Sequence, residues 1–296
     1  MAKPSKKVLI SALAVFILGG GGGAYYYVTQ PAAKAAAKEE AGKETTSQGA
    51  EKEASSKHLL LNRTAVSVPL IEKNGKMYVS LTDLAPLLDG KLNTDNHTYT
   101  LQLSKPVTYT EEEGLLQNKK LYIPMESVSK FGGIYYDMGD GQYVDYALKR
   151  VERIGEYQQG QISRPYASLA AYEEAAKALL ALPDQELLKK PAIVYYRYEE
   201  LPKGGKRSHY GTYLPVQVRG MTFLLSVSAD AVWNKGKWKA TYHAMSWQRG
   251  TGGELSPVDG EWSGLQFTED VPKLPIDTIV KEMGRTEQKE EKKAES

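Results

Sequence analysis

The stretch KNGKMYVSLTDLAPLLDG, residues 73–90, contains the signals for a turn, a strand and a short helix in one piece. Asn74-Gly75 is a strong turn dipeptide, and the β-prone residues 77–79 follow it directly. Ser80 and Asp83 have the spacing with which a side chain satisfies free amides at a helix start. The stretch therefore predicts a strand that runs straight into a short helix.

A second stretch, QNKKLYIPMESVSKFGG at 117–133, repeats this order 44 residues further along the chain. In the first copy, leucines at helical spacing share one face and Gly90 is the expected stop. In the second copy, Pro124 is expected at the first helical position and Gly132-Gly133 at the end. An alternating segment that predicts a hairpin follows each copy. Because a helix of about two turns is unstable alone, two such units are expected to bury each other's open faces.

The segments NGKMYVSLTDLAPLLDGKLNTDNHTYTL and NKKLYIPMESVSKFGGIYYDMGDGQYVDYAL resemble the paired repeats of the copper amine oxidase N-terminal-like domain, over about residues 65–148. The resemblance implies a stalk or spacer module of proteins exported by Gram-positive, spore-forming bacteria, with neither copper ligands nor a quinone. The first copy departs from the family pattern, with Ser80 in place of Pro and Thr94 in place of the usual Trp. A stalk-like domain of two β-α-β-β repeats is therefore expected at 58–150.

Residues 1–29 predict export. Basic residues precede an apolar run that continues through glycines and tyrosines. Read as one helix, Val8 to Val28 is long enough to cross a hydrocarbon core of about 30 Å. Read as a signal peptide, the run from Val8 to Leu18 has a suitable length, with a cleavage motif at 33–35. We favour the transmembrane anchor because tyrosines at the far interface suit a span.

In both interpretations the basic flank places the rest of the chain outside the cytoplasm. We expect a single-pass protein of the cell membrane whose bulk is extracytoplasmic, with secretion after leader cleavage as the alternative. Residues 30–57 and 285–296 are rich in Ala, Lys, Glu and Ser, and cannot bury enough apolar surface to offset the entropy of ordering. They are expected to be a disordered linker and a disordered tail.

Composition excludes several classes of function. The net charge is +2, from 38 basic and 36 acidic residues, so no overall field attracts nucleic acid. The chain has no cysteine, which excludes disulfides, thiolate catalysis and cysteine-ligated metals. The histidines have no local metal spacing, and no nucleotide or hydrolase motif occurs. No cofactor is expected.

Residues 151–284 predict a separate domain in which a helix comes first, antiparallel strands follow and a short helix comes last. Leu169, Tyr172 and Ala176 begin a helical stripe, and long alternating segments then run from Ala192 to Trp247. A final amphipathic helix is expected just before Gly284. The fold class is therefore α+β, and we expect GEYQQGQISRP, at 155–165, to be a connector between the two domains.

The loop RGTGGELSPVDGEW is the most interesting candidate site. It is long and glycine-rich, begins at Arg249 and lies between Trp247 and Trp262. Tryptophan faces stack on sugar rings, whereas the plainer interpretation is that both tryptophans close the core at the end of the sheet. The basic segment around Lys203, Lys206 and Arg207 is expected to be a solvated hairpin tip.

The same loop carries the acids Glu254, Asp259 and Glu261, and two carboxylates that meet in a cleft can perform glycosidase-type acid and base chemistry. Two functions are thus open. The first is a non-catalytic binding or stalk protein of the envelope that presents its C-terminal module to a glycan or to another envelope protein, with Val8 to Val28 in the membrane. The alternative is a cell-envelope hydrolase.

Overall fold

The computed structural model describes residues 58–138, 141–248 and 257–284. This part of the chain is a mixed α+β protein, rich in strands and poor in helices, and its sheets are largely antiparallel. Within these ranges no helix is long and apolar enough to span a membrane. The expected anchor at 1–29, linker at 30–57 and tail at 285–296 lie outside the described residues.

The N-terminal part consists of short strands joined by tight turns. They form sheets with the strand orders β10-β11-β1-β2, β3-β4-β9-β8 and β5-β6-β7, in which β1 and β11 run parallel. The strands are β1 (His58–Leu61), β2 (Thr64–Val66), β3 (Leu70–Lys73), β4 (Lys76–Ser80), β5 (Lys91–Asp95), β6 (Thr98–Gln102), β7 (Val107–Thr110), β8 (Leu115–Gln117), β9 (Lys120–Pro124), β10 (Ile134–Asp137) and β11 (Gly141–Asp145).

The helical turn after β4 begins as the sequence predicts. The hydroxyl of Ser80 accepts a hydrogen bond from the backbone N–H of Asp83 at 3.3 Å, which caps helix α1 (Leu81–Leu84). The helix tightens into a 3-10 turn over Ala85–Leu88 and ends at Asp89, which takes the left-handed conformation expected of Gly90. Gly90 is needed instead for close packing, because a Cβ atom there would lie 2.7 Å from Leu103 Cδ2.

In the second stretch the helical element is a 3-10 helix, Met125–Phe131, which ends at Gly132 with φ of 84°. Pro124 closes β9 instead of opening the helix, one residue earlier than expected. Strands β4 and β9 pair antiparallel, and Val79 lies directly opposite Ile123, its counterpart 44 residues later. Equivalent positions of the two stretches thus meet at the centre of one sheet.

A single hydrophobic core fills the N-terminal part. Leucines of the first stretch and apolar residues of the second are fully buried in it, among them Leu84, Leu88, Met125 and Val128. The ring of Tyr109 is also fully buried, and its hydroxyl donates a hydrogen bond to the carbonyl oxygen of Ser127 at 3.0 Å. The face that the leucine spacing predicts is therefore the one that packs inward.

The C-terminal part is built on one seven-stranded antiparallel sheet with the order β13-β12-β14-β15-β16-β17-β18. The expected connector at 155–165 forms the hairpin of β12 and β13, because Gln159 and Gly160 make a tight turn with positive φ. The strands are β12 (Lys149–Gln158), β13 (Gln161–Pro165), β14 (Ala192–Glu200), β15 (Lys206–Val218), β16 (Met221–Asn234), β17 (Lys237–Gln248) and β18 (Val258–Trp262).

Each face of this sheet has its own apolar cover. Helices α2 (Leu169–Ala181) and α3 (Asp184–Leu187) pack on one face through Tyr172 and Leu179. The chain after β18, including a helix at 276–284, packs on the other face through Ile279 and Met283. We call these the helical face and the C-terminal face. Strand alternation sends neighbouring residues to opposite faces, so strands β14, β15 and β16 contribute residues to both cores.

A buried carboxylate lies at the junction of the two parts. Glu199 of β14 is 1% exposed, and its carboxylate accepts hydrogen bonds from Nε of Arg150 at 2.6 Å and from Nε of Arg207. Arg207 also donates through Nη1 to Asp145 Oδ1 of the N-terminal part at 3.2 Å. The expectation that Arg207 lies in a solvated tip is wrong, because this side chain is only 11% exposed.

Two backbone hydrogen bonds support the same junction. The N–H of Lys203 donates to Asp89 Oδ2 at 2.6 Å, and the N–H of Leu148 donates to the carbonyl of Glu200 at 2.8 Å. Burial acts to raise the pKa of Glu199, but the hydrogen bonds and charges of Arg207, Arg197 and Arg150 together outweigh it, so the pKa lies below its ordinary value. The junction is thus held by ionised, hydrogen-bonded groups.

We predict that Glu199→Gln destabilises the protein by about 3–5 kcal/mol, because it leaves buried arginine charge without its carboxylate. The loss should be largest at neutral pH. The depressed pKa contributes stability above the ordinary glutamate pKa of about 4.3, and this contribution disappears as the pH falls below that value. Urea denaturation at several pH values measures the effect, with the neighbouring and more exposed Glu200→Gln as the control. Equal midpoints for the two variants at neutral pH would contradict the role assigned to Glu199.

Candidate binding groove

A groove of about 650 Å³ opens on the C-terminal face. Its volume falls within the range of about 300–1,000 Å³ that is usual for small-molecule sites. The strands supply one side of the groove and the chain after β18 supplies the other. The lining residues are Tyr157, Ala192, Tyr210, Thr212, Leu214, Trp262, Ser263, Gly264, Leu265, Lys273, Leu274, Pro275, Ile276 and Asp277.

Strand alternation explains the floor of the groove. Tyr210, Thr212 and Leu214 are every second residue of β15 and therefore point to the same face. Ala192 of β14 lies opposite Tyr157 of β12 in the sheet register. These strands are interior strands of the sheet, but the pairing of β14 with β15 begins at Ile193 and Tyr213, so Leu214 is paired with β16 and lies beyond the end of the β14 pairing.

A clamp of aromatic rings fixes Trp262 at the groove. The ring of Tyr242 stacks on Trp262 with centroids 4.4 Å apart and planes 16° apart. Gly260 makes this arrangement possible, because a Cβ atom there would lie 2.4 Å from the ring of Tyr242. The hydroxyl of Tyr242 donates to Glu282 of the helix at 276–284. Burial and the adjacent Glu282 raise the pKa of Tyr242, so this hydroxyl remains a donor at physiological pH.

The polar groups among the lining residues are the hydroxyls of Tyr157, Tyr210, Thr212 and Ser263 and the charged side chains of Lys273 and Asp277. Thr212 donates its hydroxyl hydrogen to the carbonyl of Ile193 at 2.8 Å, so this donor is already used. Trp262 is 9% exposed, and its Nε1–H is buried with no acceptor among the described residues. Lys273 and Asp277 are exposed and put one positive and one negative charge beside the opening. The groove wall is therefore largely apolar, and the Nε1–H of Trp262 is buried behind its surface.

The structure places the sequence-predicted site residues apart. Trp262 lines the groove on the C-terminal face, whereas Trp247 packs into the core of the helical face. Trp262 is buried and Trp247 is partly buried, and the two tryptophans pack on opposite faces of the sheet. Arg249 and Glu254 lie outside the described residues.

The predicted acids do not lie in the groove. Asp259 and Glu261 belong to strand β18, not to a loop as expected, and both point away from the face that Trp262 occupies. Asp259 Oδ1 lies 2.5 Å from His243 Nδ1, and Glu261 Oε1 lies 3.3 Å from Lys239 Nζ. Their side chains are 79% and 67% exposed. This is the geometry of surface ion pairs on an open sheet.

Sequence reasoning missed a polar pair on the helical face, formed by His209 and Asp230. His209 Nδ1 and Asp230 Oδ1 lie 3.0 Å apart on the adjacent strands β15 and β16. Burial lowers the pKa of His209 to about 4, helped by the positive charges of Arg197 and Arg63. Burial also raises the pKa of Asp230 to about 7. Nothing local marks this pair in the sequence, because the residues are 21 positions apart and meet only through the hairpin register.

Among the described residues no group of three or more metal-ligating side chains could hold a metal ion. Comparisons of the chain with protein-family models, with curated proteins and with solved structures found no match.

We predict that Gly260→Ala destabilises the protein by about 1–3 kcal/mol, because the added methyl group forces the ring of Tyr242 off Trp262. The tryptophan fluorescence should change together with the melting temperature. Gly211→Ala is the matched control in the same sheet, since its Cβ atom would meet only the hydroxyl of Tyr172 at 3.4 Å. Equal melting temperatures for Gly260→Ala and Gly211→Ala would show that the ring of Tyr242 does not exclude a Cβ atom at position 260.

Proposed function

We propose that the chain is a membrane-anchored, extracytoplasmic and non-catalytic binding protein of a bacterial cell envelope. The proposal takes the anchor from the segment Val8 to Val28 and the stalk from the resemblance to the copper amine oxidase N-terminal-like domain. In it, the N-terminal part carries the C-terminal module away from the membrane. The polar junction around Glu199 supports this arrangement, because it joins the two parts through buried, hydrogen-bonded charge.

The groove on the C-terminal face is the observation that carries the binding function. It combines a pocket-sized volume with a largely apolar and aromatic wall. The partner is proposed to be an envelope component, either a glycan or a protein.

The alternative of a cell-envelope hydrolase has less support. Asp259 and Glu261 lie two residues apart on one exposed strand, where each faces a basic side chain. Carboxylates that share acid and base work in glycosidases flank the scissile bond from both sides within a cleft. The groove, in contrast, contains Asp277 as its carboxylate among the described lining residues, and this residue is exposed.

We predict that Leu214→Arg abolishes retention of the envelope ligand, because Leu214 lines the groove and a charged side chain there occupies and polarises it. The full chain is immobilised and incubated with fractionated envelope material, and the retained material is quantified. Thr241→Arg is the control, since Thr241 is exposed on the helical face. Thermal unfolding of both variants establishes that they are folded.

Two outcomes would overturn the proposal. Equal retention of the same material by all three proteins would remove the groove from the function. Turnover of an envelope glycan by the wild-type chain, lost in Glu261→Gln, would establish the hydrolase instead.

A further inference from the structure

Lysines gather at the end of the large sheet where β12 begins. The turn between β14 and β15 and the turn between β16 and β17 both lie at this end. The first turn carries Lys203 and Lys206, and the second carries Lys235 and Lys237. We call these four lysines the basic end. Because β14 to β17 are adjacent strands, the four charges are spread over about 15 Å.

The described residues leave this positive charge largely unneutralised. Lys149 nearby forms an ion pair with Glu269. Lys239 forms one with Glu261, with 3.3 Å between Nζ and Oε1. The four lysines of the basic end, in contrast, have no ion pair within the described ranges. Glu200 is directly opposite Lys206 in the sheet register and offsets one charge. The basic end therefore keeps an excess of positive charge.

Two tryptophans hold part of the basic end in place. Trp233 and Trp238 lie directly opposite each other beside the β16–β17 turn, edge to face, with ring centroids 5.5 Å apart. Lys206 Nζ lies over the ring of Trp233, 5.5 Å from its centroid, in a cation–π contact. The ring of Trp238 packs on Phe267 at 5.3 Å. The lysines are thus presented on a braced hairpin, which reduces the ordering that binding requires.

The spread of the charges determines the size of the ligand. A single phosphate or carboxylate group cannot contact cations that are about 15 Å apart, whereas a chain with repeated acidic groups contacts several of them at once. Lysine carries a point charge on a flexible stem and makes no bidentate demand on its partner. The basic end therefore suits a linear polyanion.

The rings restrict the kind of polyanion. Nucleic-acid bases stack on open aromatic faces. Here Lys206 lies over Trp233, and Trp238 is packed among neighbouring rings. A bilayer is also a poor partner, because the exposed polar residues Asn234–Lys237 lie at the very tip, in front of the partly buried rings.

We propose that the basic end binds a linear anionic polysaccharide, whose successive acidic groups contact the four lysines. The choice of a polysaccharide rests on the proposed envelope function. The surface itself is separate from the groove, whose lining contains none of these lysines.

The test measures binding of fluorescently labelled polygalacturonate oligomers to the purified full chain at about 10 mM salt, where charges act over about 30 Å. The double variant Lys235→Gln, Lys237→Gln should weaken binding about tenfold and flatten its salt dependence. The matched control is Lys73→Gln, Lys76→Gln, which removes the same charge from an exposed hairpin of the N-terminal part. Methyl-esterified oligomers, which keep the backbone without its charge, should not bind.

A double-mutant cycle tests the positioning of Lys206. Trp233→Leu should weaken binding about threefold, because Lys206 loses its cation–π contact. The same substitution in a Lys206→Gln background should have no further effect on binding. A purely structural role of Trp233 would give the same loss in both backgrounds. Thermal unfolding of each variant establishes that it is folded.

Tryptophan emission tests the two competing partners. All four tryptophans of the chain lie in strands β16, β17 and β18, so residues 1–57 do not contribute to the signal. In the full chain reconstituted into vesicles of brominated anionic lipid, the emission should stay unquenched, and oligothymidylate should not quench it either. Quenching by the lipid would assign a bilayer surface instead, and quenching by oligothymidylate would assign a nucleic acid.

Equal weakening by the two lysine pairs, or equal binding of the esterified oligomer, would also overturn the inference. At about 1 M salt, where charges act over only about 3 Å, retention of envelope material reports the apolar groove alone. If polygalacturonate does not bind while Leu214-dependent retention persists, this inference fails and the proposed function stands. If polygalacturonate binds and Leu214→Arg has no effect at high salt, the groove fails and the basic end stands.

Discussion

The structure depends most on the buried carboxylate of Glu199. An ionised group that is 1% exposed is stable only when its lone pairs are matched, and Arg150 and Arg207 match them here. This requirement aligns β12, β14 and β15, which carry the three residues. Because Arg207 also reaches Asp145, the same requirement attaches the N-terminal part to the sheet. One electrostatic constraint thus links three strands of the sheet to one another and to the N-terminal part.

The alternation of the strands connects this junction to the groove. On β15, Arg207 and His209 point to the helical face, whereas Tyr210 and Thr212 on the same strand point toward the groove. A one-residue shift of β15 would move each of these two sets of side chains to the opposite face of the sheet. Such a shift would destroy the Glu199 junction and the groove together. The Tyr242–Trp262 clamp then closes the far side of the groove against the chain that follows β18. The groove is therefore a property of the whole sheet.

Short-range patterns in the sequence predict the helices and strands well. They do not predict the Glu199 junction or the groove, which residues far apart in the chain form together. The Ser80 cap, the buried leucine face and the strands from Ala192 onward all follow from short-range patterns. The glycines around 258–262 predict a loop, whereas Gly260 belongs to strand β18 and admits the ring of Tyr242. Glu199 and the groove depend on contacts between distant strands, which no local pattern encodes. The glycine-rich segment between Trp247 and Trp262 marks both tryptophans in the sequence, but only the sheet register shows that they lie on opposite faces.

The central claim is that the N-terminal part holds the C-terminal module in one fixed orientation. The chain has no cysteine, so spin labels at Asn93→Cys and Thr241→Cys, both exposed, report only on the distance between the two parts. Pulsed electron paramagnetic resonance should give one narrow distance distribution, which broadens when Asp145→Asn weakens the link to Arg207. A broad distribution in the doubly labelled chain with Asp145 intact would contradict the claim.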